Sequence, residues 1–232
     1  MDFNILSDYK TLDDNVLDAI KTLRTNIQFA SISHEIKTLV MTSCSPNEGK
    51  STISTFLALA MAEAGKKTLL VECDLRHTTL RKRMKIPRSN GMVNYLQGNV
   101  SLDEAISVTA YDNLYFLDAE TRVPNPVELI SSKPFTDMMD KLRGMFDIVV
   151  FDTPPIGTFI DAALFAAKSD ATIVLVKPGV VEKRLFKKCI EQLEKANANI
   201  IGVILNGTDQ VHSGYYGKYY NRKYYKYGKG KK

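Results

Sequence analysis

Val40-Met-Thr-Ser-Cys-Ser-Pro-Asn-Glu-Gly-Lys-Ser-Thr52 decides the fold of this chain. The apolar run that enters it, residues 36–41, predicts a buried strand. The Ala/Leu-rich stretch that leaves it, residues 51–64, predicts a helix stopped by Gly65. Strand, short polar loop, helix is the setting in which Gly49-Lys50-Ser51-Thr52 becomes a phosphate site. Loop N–H groups converge on the anion and the positive end of the helix dipole adds to them. Lys50 would reach the β- and γ-phosphates of a nucleoside triphosphate, and the Ser51 hydroxyl would ligate Mg²⁺. The expected nucleotide-binding set is Cys44, Ser45, Pro46, Asn47, Glu48, Gly49, Lys50, Ser51 and Thr52, with ATP and Mg²⁺ as cofactors. Cys44 stands where the usual pattern opens with Gly, and Asn47 where another Gly is frequent. Asn is the non-Gly residue that most readily takes left-handed backbone, so a tight loop survives the change. The alternative is a helix-capping turn in which Gly-Lys-Ser carries no chemistry.

Downstream signals favour the phosphate loop. Residues 67–73 predict a second strand that closes on Glu72-Cys-Asp74-Leu-Arg76, and residues 146–151 a strand that closes on Asp152-Thr-Pro-Pro155. Further strands over residues 113–119, 171–176 and 199–205 alternate with helices over 13–33, 127–143 in parts, 162–167 and 181–196. Short helical patterns lie at 92–96 and 102–106. In the first helix Asp13 or Asp14 can cap the start, and Val16, Ile20, Leu23, Ile27 and Ala30 share one face. Uniformly apolar strands between helices describe an α/β fold: a doubly wound, mainly parallel sheet of P-loop NTPase type, in one domain. Ligands of such sheets sit at the carboxyl ends of the strands. The Gly-Lys-Ser loop, the Glu72/Asp74 pair and Asp152 all fall there.

Phosphoryl transfer needs a metal on the β- and γ-oxygens, a cation near the developing charge and a group that orients the nucleophile. Asp152 is the natural carboxylate for the metal; its plainer reading is a cap before Pro154 and Pro155. Glu72 and Asp74 can both face the nucleotide only where their strand is ending. One would hold the metal's water shell and the other accept a proton from an attacking hydroxyl. The expected catalytic set is therefore Lys50, Glu72, Asp74 and Asp152, and the expected metal set Ser51, Asp74 and Asp152. Asn206, after the last strand, offers a donor and an acceptor to a purine edge. Asn206-Gly-Thr-Asp209 would suit guanine and is also an ordinary turn.

At 232 residues and 44% hydrophobic content, the chain suits one ordinary domain with a sizeable core. No run approaches the ~20 apolar residues of a membrane span. Met1-Asp-Phe-Asn is neither basic nor apolar, so a cytoplasmic chain without an export signal is expected. Cys44, Cys73 and Cys189 are scattered without metal-ligand spacing, as reduced thiols would be; a redox effect at Cys44 or Cys73 is the sharper alternative. Seven of the 31 basic residues lie in residues 215–232 with no acid, so the body holds a slight acidic excess and is no nucleic-acid surface by charge. The same segment holds Tyr215, Tyr216, Tyr219, Tyr220, Tyr224, Tyr225 and Tyr227 and no aliphatic residue. Such a segment cannot bury a core and is expected to be flexible, which suits its tyrosines as phosphoacceptors. Each phosphate would add about −1.5 to −2 charge and a few would cancel the tail's basicity. Single-stranded nucleic acid, anionic lipid and an inert solvated tail are the other readings.

Several stretches match one known pattern: Thr42-Ser-Cys-Ser-Pro-Asn-Glu-Gly-Lys-Ser51, Leu69-Leu-Val-Glu72-Cys-Asp74-Leu-Arg76, Ile148-Val-Val-Phe-Asp152-Thr-Pro-Pro155 and Asn125-Pro-Val-Glu-Leu-Ile130. With Asp18-x-x-Lys21-x-x-Arg24-Thr25-Asn26 they make nearly the whole chain resemble the bacterial tyrosine kinases that accompany capsule and exopolysaccharide assembly. The resemblance implies a protein tyrosine kinase that phosphorylates its own tail in trans and regulates polysaccharide synthesis and export. It implies a homo-oligomer, a ring in this family, built through Asp18, Lys21 and Arg24. A separate membrane protein of the chain-length-regulator type would activate the kinase and hold it at the inner face of the membrane, a tyrosine phosphatase would oppose it, and no nucleic acid is expected. The corresponding division is residues 1–34 for self-association, 35–208 for the kinase domain and 209–232 for the tail. Two departures stand out. Glu72 replaces the family's first Asp, near the accepting hydroxyl, and Asp18 and Lys21 keep charge but not reach. The rival is a partition- or division-site switch ATPase of the same branch, its basic tail on membrane or nucleic acid. That group carries an extra Lys at the loop start, where this chain has Ser45.

Overall fold

The computed structural model describes residues 4–32, 34–87, 90–120 and 123–208. Asp209 and the seven tail tyrosines lie outside the described residues. The strands are β1 (Thr38–Ser43), β2 (Thr68–Glu72), β3 (Ile106–Val108), β4 (Leu114–Leu117), β5 (Ile148–Asp152), β6 (Ala171–Val176) and β7 (Ile200–Leu205). They form one sheet in the order β3-β4-β2-β5-β1-β6-β7. Pairings are parallel except β3 with β4, where Ile106 opposes Leu117. β1, β2, β5 and β6 are buried at every position, as strands covered on both faces must be. This is the doubly wound sheet expected. The short β3 was not anticipated: its Ile-Ser-Val continues a helical pattern, and only its pairing with β4 makes it a strand.

The helices are α1 (Ile5–Lys10), α2 (Asp14–Ala30), α3 (Lys50–Glu63), α4 (Leu80–Arg83), α5 (Met92–Leu96), α6 (Leu102–Ala105), α7 (Pro126–Ser131), α8 (Lys133–Met145), α9 (Asp161–Ala166) and α10 (Lys183–Lys195). Ile20, Ile27, Phe56, Leu57 and Leu59 of α2 and α3 pack with Leu70 and Val150 on one face of the sheet. Phe135, Phe165 and Leu193 of α8, α9 and α10 pack with Val149 and Phe151 on the other. Asp13 caps α2, accepting the Asn15 N–H at 2.9 Å. The apolar face of α2 is narrower than the periodicity predicts, because Val16 is 41% exposed. α1 carried no periodic signal in its six residues; it seats Ile5, Leu6 and Tyr9 in the core, with the Tyr9 hydroxyl donating to Glu63 at 2.9 Å. α1 and α2 thus share their core with α3 and are continuous with the rest of the domain.

From β1 the chain moves outward through β2, then returns to insert β5 between them, and continues to β6 and β7 on the other side. That reversal sets three carboxyl ends side by side. Glu72 of β2 is level with Asp152 of β5, which is level with Met41 of β1. A crevice for ligand forms at such a reversal.

Candidate active site

The phosphate loop is held from several sides. Thr153 Oγ1 donates to the Met41 carbonyl and Thr42 Oγ1 to that of Pro154, each at 3.0 Å, and the Ile156 N–H donates to the Ser43 carbonyl at 2.8 Å. Asn47 takes a left-handed φ of +63° and Gly49 one of +93°, so the loop turns tightly without the usual Gly at 47. Glu48 is buried, and its carboxylate accepts the N–H groups of Ser45 and of Lys177, the latter at 2.8 Å. Asn206 Nδ2 donates to the Glu48 carbonyl at 2.7 Å. The first turn of α3 closes with the Ile53 N–H on the Gly49 carbonyl at 3.0 Å. The N–H groups of Lys50, Ser51 and Thr52 therefore precede any intrahelical acceptor and are available to an anion.

Beside this loop lies a cavity of about 510 Å³, lined by residues 46–52 together with Ser43, Asp74, His77, Thr79, Arg83, Pro155 and Phe159. Lys50 Nζ donates to Asp152 Oδ1 at 2.7 Å and to Ser51 Oγ at 3.2 Å. Ser54 Oγ donates to the same Oδ1 at 2.9 Å. The pair is buried, Lys50 at 8% and Asp152 at 2% exposure, a state tolerated because each charge has a partner. Asp74 accepts the N–H groups of His77 at 2.9 Å and Arg76 at 3.2 Å, which fixes its carboxylate at the wall. Arg76 in turn grips Asp161 through two nitrogens at 2.9 and 3.2 Å and lies over the Phe159 ring at 4.4 Å.

This donor set fits a nucleotide phosphate chain with a divalent cation. Three helix N–H groups and an ammonium border the cavity, Ser51 and Asp74 line it with Asp152 behind the ammonium, and the loop's glycine cradle has no room for a side chain: a Cβ on Gly49 would lie 2.3 Å from Asn206 Nδ2. Of the expected residues, Lys50, Ser51 and Asp74 line the cavity, and Asp152 lies behind Lys50, bonded to its ammonium.

Other expected site residues are placed differently. Cys44 and Ser45 form the loop's foot and do not line the cavity. The Cys44 thiol is pushed up by the Cys189 thiol beside it and by burial, and that of Cys73 by burial; both are buried. Asn206 spends its amide nitrogen on the loop backbone. Arg24, expected at a subunit contact, turns inward: its Nη1 donates to the Ala60 carbonyl at 3.0 Å, while Asp18 and Lys21 stay exposed. Residues the sequence did not single out also belong to the site. Ser54, one helical turn beyond Lys50, had the right spacing to be found. His77, Arg83 and Phe159 had no spacing signal, because they reach the cavity through tertiary packing.

Glu72 has a different setting. It does not line the cavity; it is 1% exposed, and its Oε1 accepts the N–H groups of Thr79 and Leu80, the latter at 2.7 Å, at the start of α4. Its Oε2 is buried without a donor, next to Asp118, which pairs with Arg81 Nε at 2.9 Å. Burial pushes the Glu72 carboxyl up to about 8; the two N–H groups pull the other way and Asp118 adds to the rise. Folded Glu72 thus keeps its proton to about pH 8, whereas the unfolded chain releases it near 4.5. Between these values the unfolded state binds fewer protons, so stability falls as pH rises, by up to about 1.4 kcal/mol per pH unit. Glu72→Gln cannot ionise, keeps an oxygen for α4 and offers Asp118 a donor. Urea unfolding from about pH 5 to 8.5 is expected to show a flatter profile for the variant, which becomes the more stable protein at the alkaline end. Parallel profiles would refute this protonation state.

Fold and cavity define a P-loop nucleotide-binding protein. The pattern of an AAA domain matches residues 36–201. Tyrosine-protein kinase CpsD of Streptococcus agalactiae is 36% identical over 203 residues, covering 86% of this chain and 88% of that protein. Tyrosine-protein kinase YwqD of Bacillus subtilis (strain 168) is 35% identical, covering 85% and 84%. The crystal structure of the chimerical protein CapA2B2 superposes with a TM-score of 0.79 at 34% identity, over 82% of this chain and 84% of that one. The chain belongs to the bacterial tyrosine-protein kinase family. The septum site-determining protein MinD of Pyrococcus horikoshii, complexed with Mg-ADP, is more distant at 24% identity and a TM-score of 0.62 over 75% of this chain, a likeness of fold alone. Among the described residues no helix is long and apolar enough to cross a membrane.

Proposed function

We propose that this chain is an ATP- and Mg²⁺-dependent protein tyrosine kinase that phosphorylates its own C-terminal tyrosines in trans and thereby regulates capsular or exopolysaccharide synthesis and export. The observation that carries the proposal is that Lys50, Ser51 and Asp74 line one cavity beside the phosphate loop, with Asp152 behind Lys50 and bonded to its ammonium. Loop N–H groups and Lys50 would bind the phosphates, and Ser51, Asp152 and Asp74 would hold Mg²⁺, which when bound would neutralise charge on the phosphate chain. Asp74, anchored by two backbone N–H groups, orients the acceptor phenol and takes its proton. Glu72 acts behind the site, and Asn206 and Glu48 brace the loop.

The acceptors are Tyr215, Tyr216, Tyr219, Tyr220, Tyr224, Tyr225 and Tyr227, presented to a neighbouring subunit's cavity. Asp18 and Lys21 on the exposed face of α2 support self-association in a ring. Activation and attachment at the inner face of the membrane come from a separate chain-length-regulator-type membrane protein, and a tyrosine phosphatase reverses the modification. The test is incubation of the purified chain with Mg²⁺-ATP, with and without a candidate activator's cytoplasmic segment, and with Lys50→Met as control. Label confined to the tail tyrosines and absent from Lys50→Met is expected. Mixed with an active tail-less chain, Lys50→Met should become labelled. ATP hydrolysis without tyrosine label, even with the activator, would replace the kinase with a switch ATPase.

A further inference from the structure

The cavity wall carries a cation that the phosphate-loop motif does not include. Arg83 is half-buried, lines the cavity and donates through Nη2 to Thr52 Oγ1 at 2.8 Å. Thr52 lies in the first turn of α3, so the guanidinium stands beside the N–H groups that face the phosphates. Lys50 has its charge matched by Asp152 at 2.7 Å. Arg83 has no carboxylate partner among the described residues. A guanidinium that pairs with no carboxylate among the described residues, next to the phosphate loop, offers a planar fork for phosphate oxygens.

Its placement is enforced. Leu80 and Met84 anchor α4 in the core. Glu72 Oε1 holds the N-terminus of α4 through the Leu80 N–H at 2.7 Å, and Arg81 pairs with Asp118 at 2.9 Å, neither of them lining the cavity. With both ends tied, Arg83 is directed at α3.

We propose that Arg83 is a second phosphate-binding cation of this site, meeting the nucleotide's phosphate chain from the Thr52 side, and that Glu72 is a positioning residue that holds it there through α4. The proposal rests on the nucleotide reading above, and the experiment separates the two. MgATP and MgADP are titrated calorimetrically into the full chain and into Arg83→Met and Arg83→Lys, with the thermal midpoint and the KM and kcat for ATP measured on each. Arg83→Met is expected to weaken MgATP by about tenfold or more, the loss of one charge-assisted contact, to raise KM more than it lowers kcat, and to leave the midpoint unchanged. Arg83→Lys should recover most of the affinity. Equal losses in both variants would reduce Arg83 to a brace on Thr52 and overturn the proposal, as would Arg83→Met binding like the wild type. A wild-type chain that binds neither nucleotide overturns the nucleotide reading itself, and this proposal with it. Glu72→Asp, shorter by one methylene, should weaken MgATP alone but add nothing in the Arg83→Met background; additive losses would remove Glu72 from the scheme.

Discussion

Asp152→Asn is expected to abolish the Mg²⁺-dependence of ATP binding and to lower tyrosine phosphorylation on the order of 10³-fold, the scale of losing one charge that acts in the transition state. The reason is the convergence on a single oxygen. Asp152 Oδ1 receives Lys50 Nζ at 2.7 Å and Ser54 Oγ at 2.9 Å, with Ser51 Oγ only 3.2 Å from the same ammonium. Asn keeps the shape and an acceptor oxygen but not the charge. Removing one partner of a fully enclosed pair costs about 3–5 kcal/mol, and the loss here should be smaller because Lys50 borders the open cavity. The expected signature is therefore a folded protein that still binds ATP in EDTA and gains nothing when Mg²⁺ is added. Calorimetry with and without Mg²⁺ measures this directly. An undiminished Mg²⁺ effect would remove Asp152 from the metal site.

Gly49→Ala should lose MgATP binding almost entirely, by about a hundredfold or more, with only a modest drop in thermal stability. Two separate costs act. The φ of +93° is left-handed backbone, which strains a non-Gly residue by about 1–3 kcal/mol. The new Cβ would also meet Asn206 Nδ2 at 2.3 Å and displace the amide that donates to the Glu48 carbonyl at 2.7 Å. A double variant separates them. Asn206→Ala removes the clash but not the backbone strain, so Gly49→Ala/Asn206→Ala is expected to bind no better than Gly49→Ala. Recovery of affinity in the double variant would mean that the side-chain clash, and not the backbone, sets the loss.

Much of the site was legible because its signals are local. A phosphate loop is a run of backbone N–H groups, and the residues that let the chain turn there are neighbours in sequence: Asn47 and Gly49 take the left-handed conformations their types favour. Asp152 was legible as the residue that ends an apolar strand. Glu72 also ends an apolar strand, but its carboxylate is turned to the backbone of α4. β2 does end at Glu72, as the sequence requires, but beyond it the chain turns back so that α4 offers two N–H groups to the Glu72 carboxylate. Asp74 alone continues to the cavity. Nothing near residue 72 in sequence distinguishes a carboxylate that meets substrate from one that ties down a helix.

The sequence by itself determined the strand–loop–helix unit around Lys50, the apolar strands that demand a sheet covered on both faces, and the family to which these motifs belong. Apolar periodicity and turn residues act within a few positions of one another, so they can be read in order along the chain. Tertiary structure alone decided which charges share a cavity and which are spent on packing. Arg83 reaches Thr52, Arg24 turns in to the Ala60 carbonyl, and Gly157 lies so close to the loop's foot that a Cβ there would come within 2.2 Å of the Cys44 carbonyl oxygen. Each of these contacts joins segments far apart in the sequence, and its geometry exists only once β5 has been inserted between β1 and β2 and both faces of the sheet have been packed.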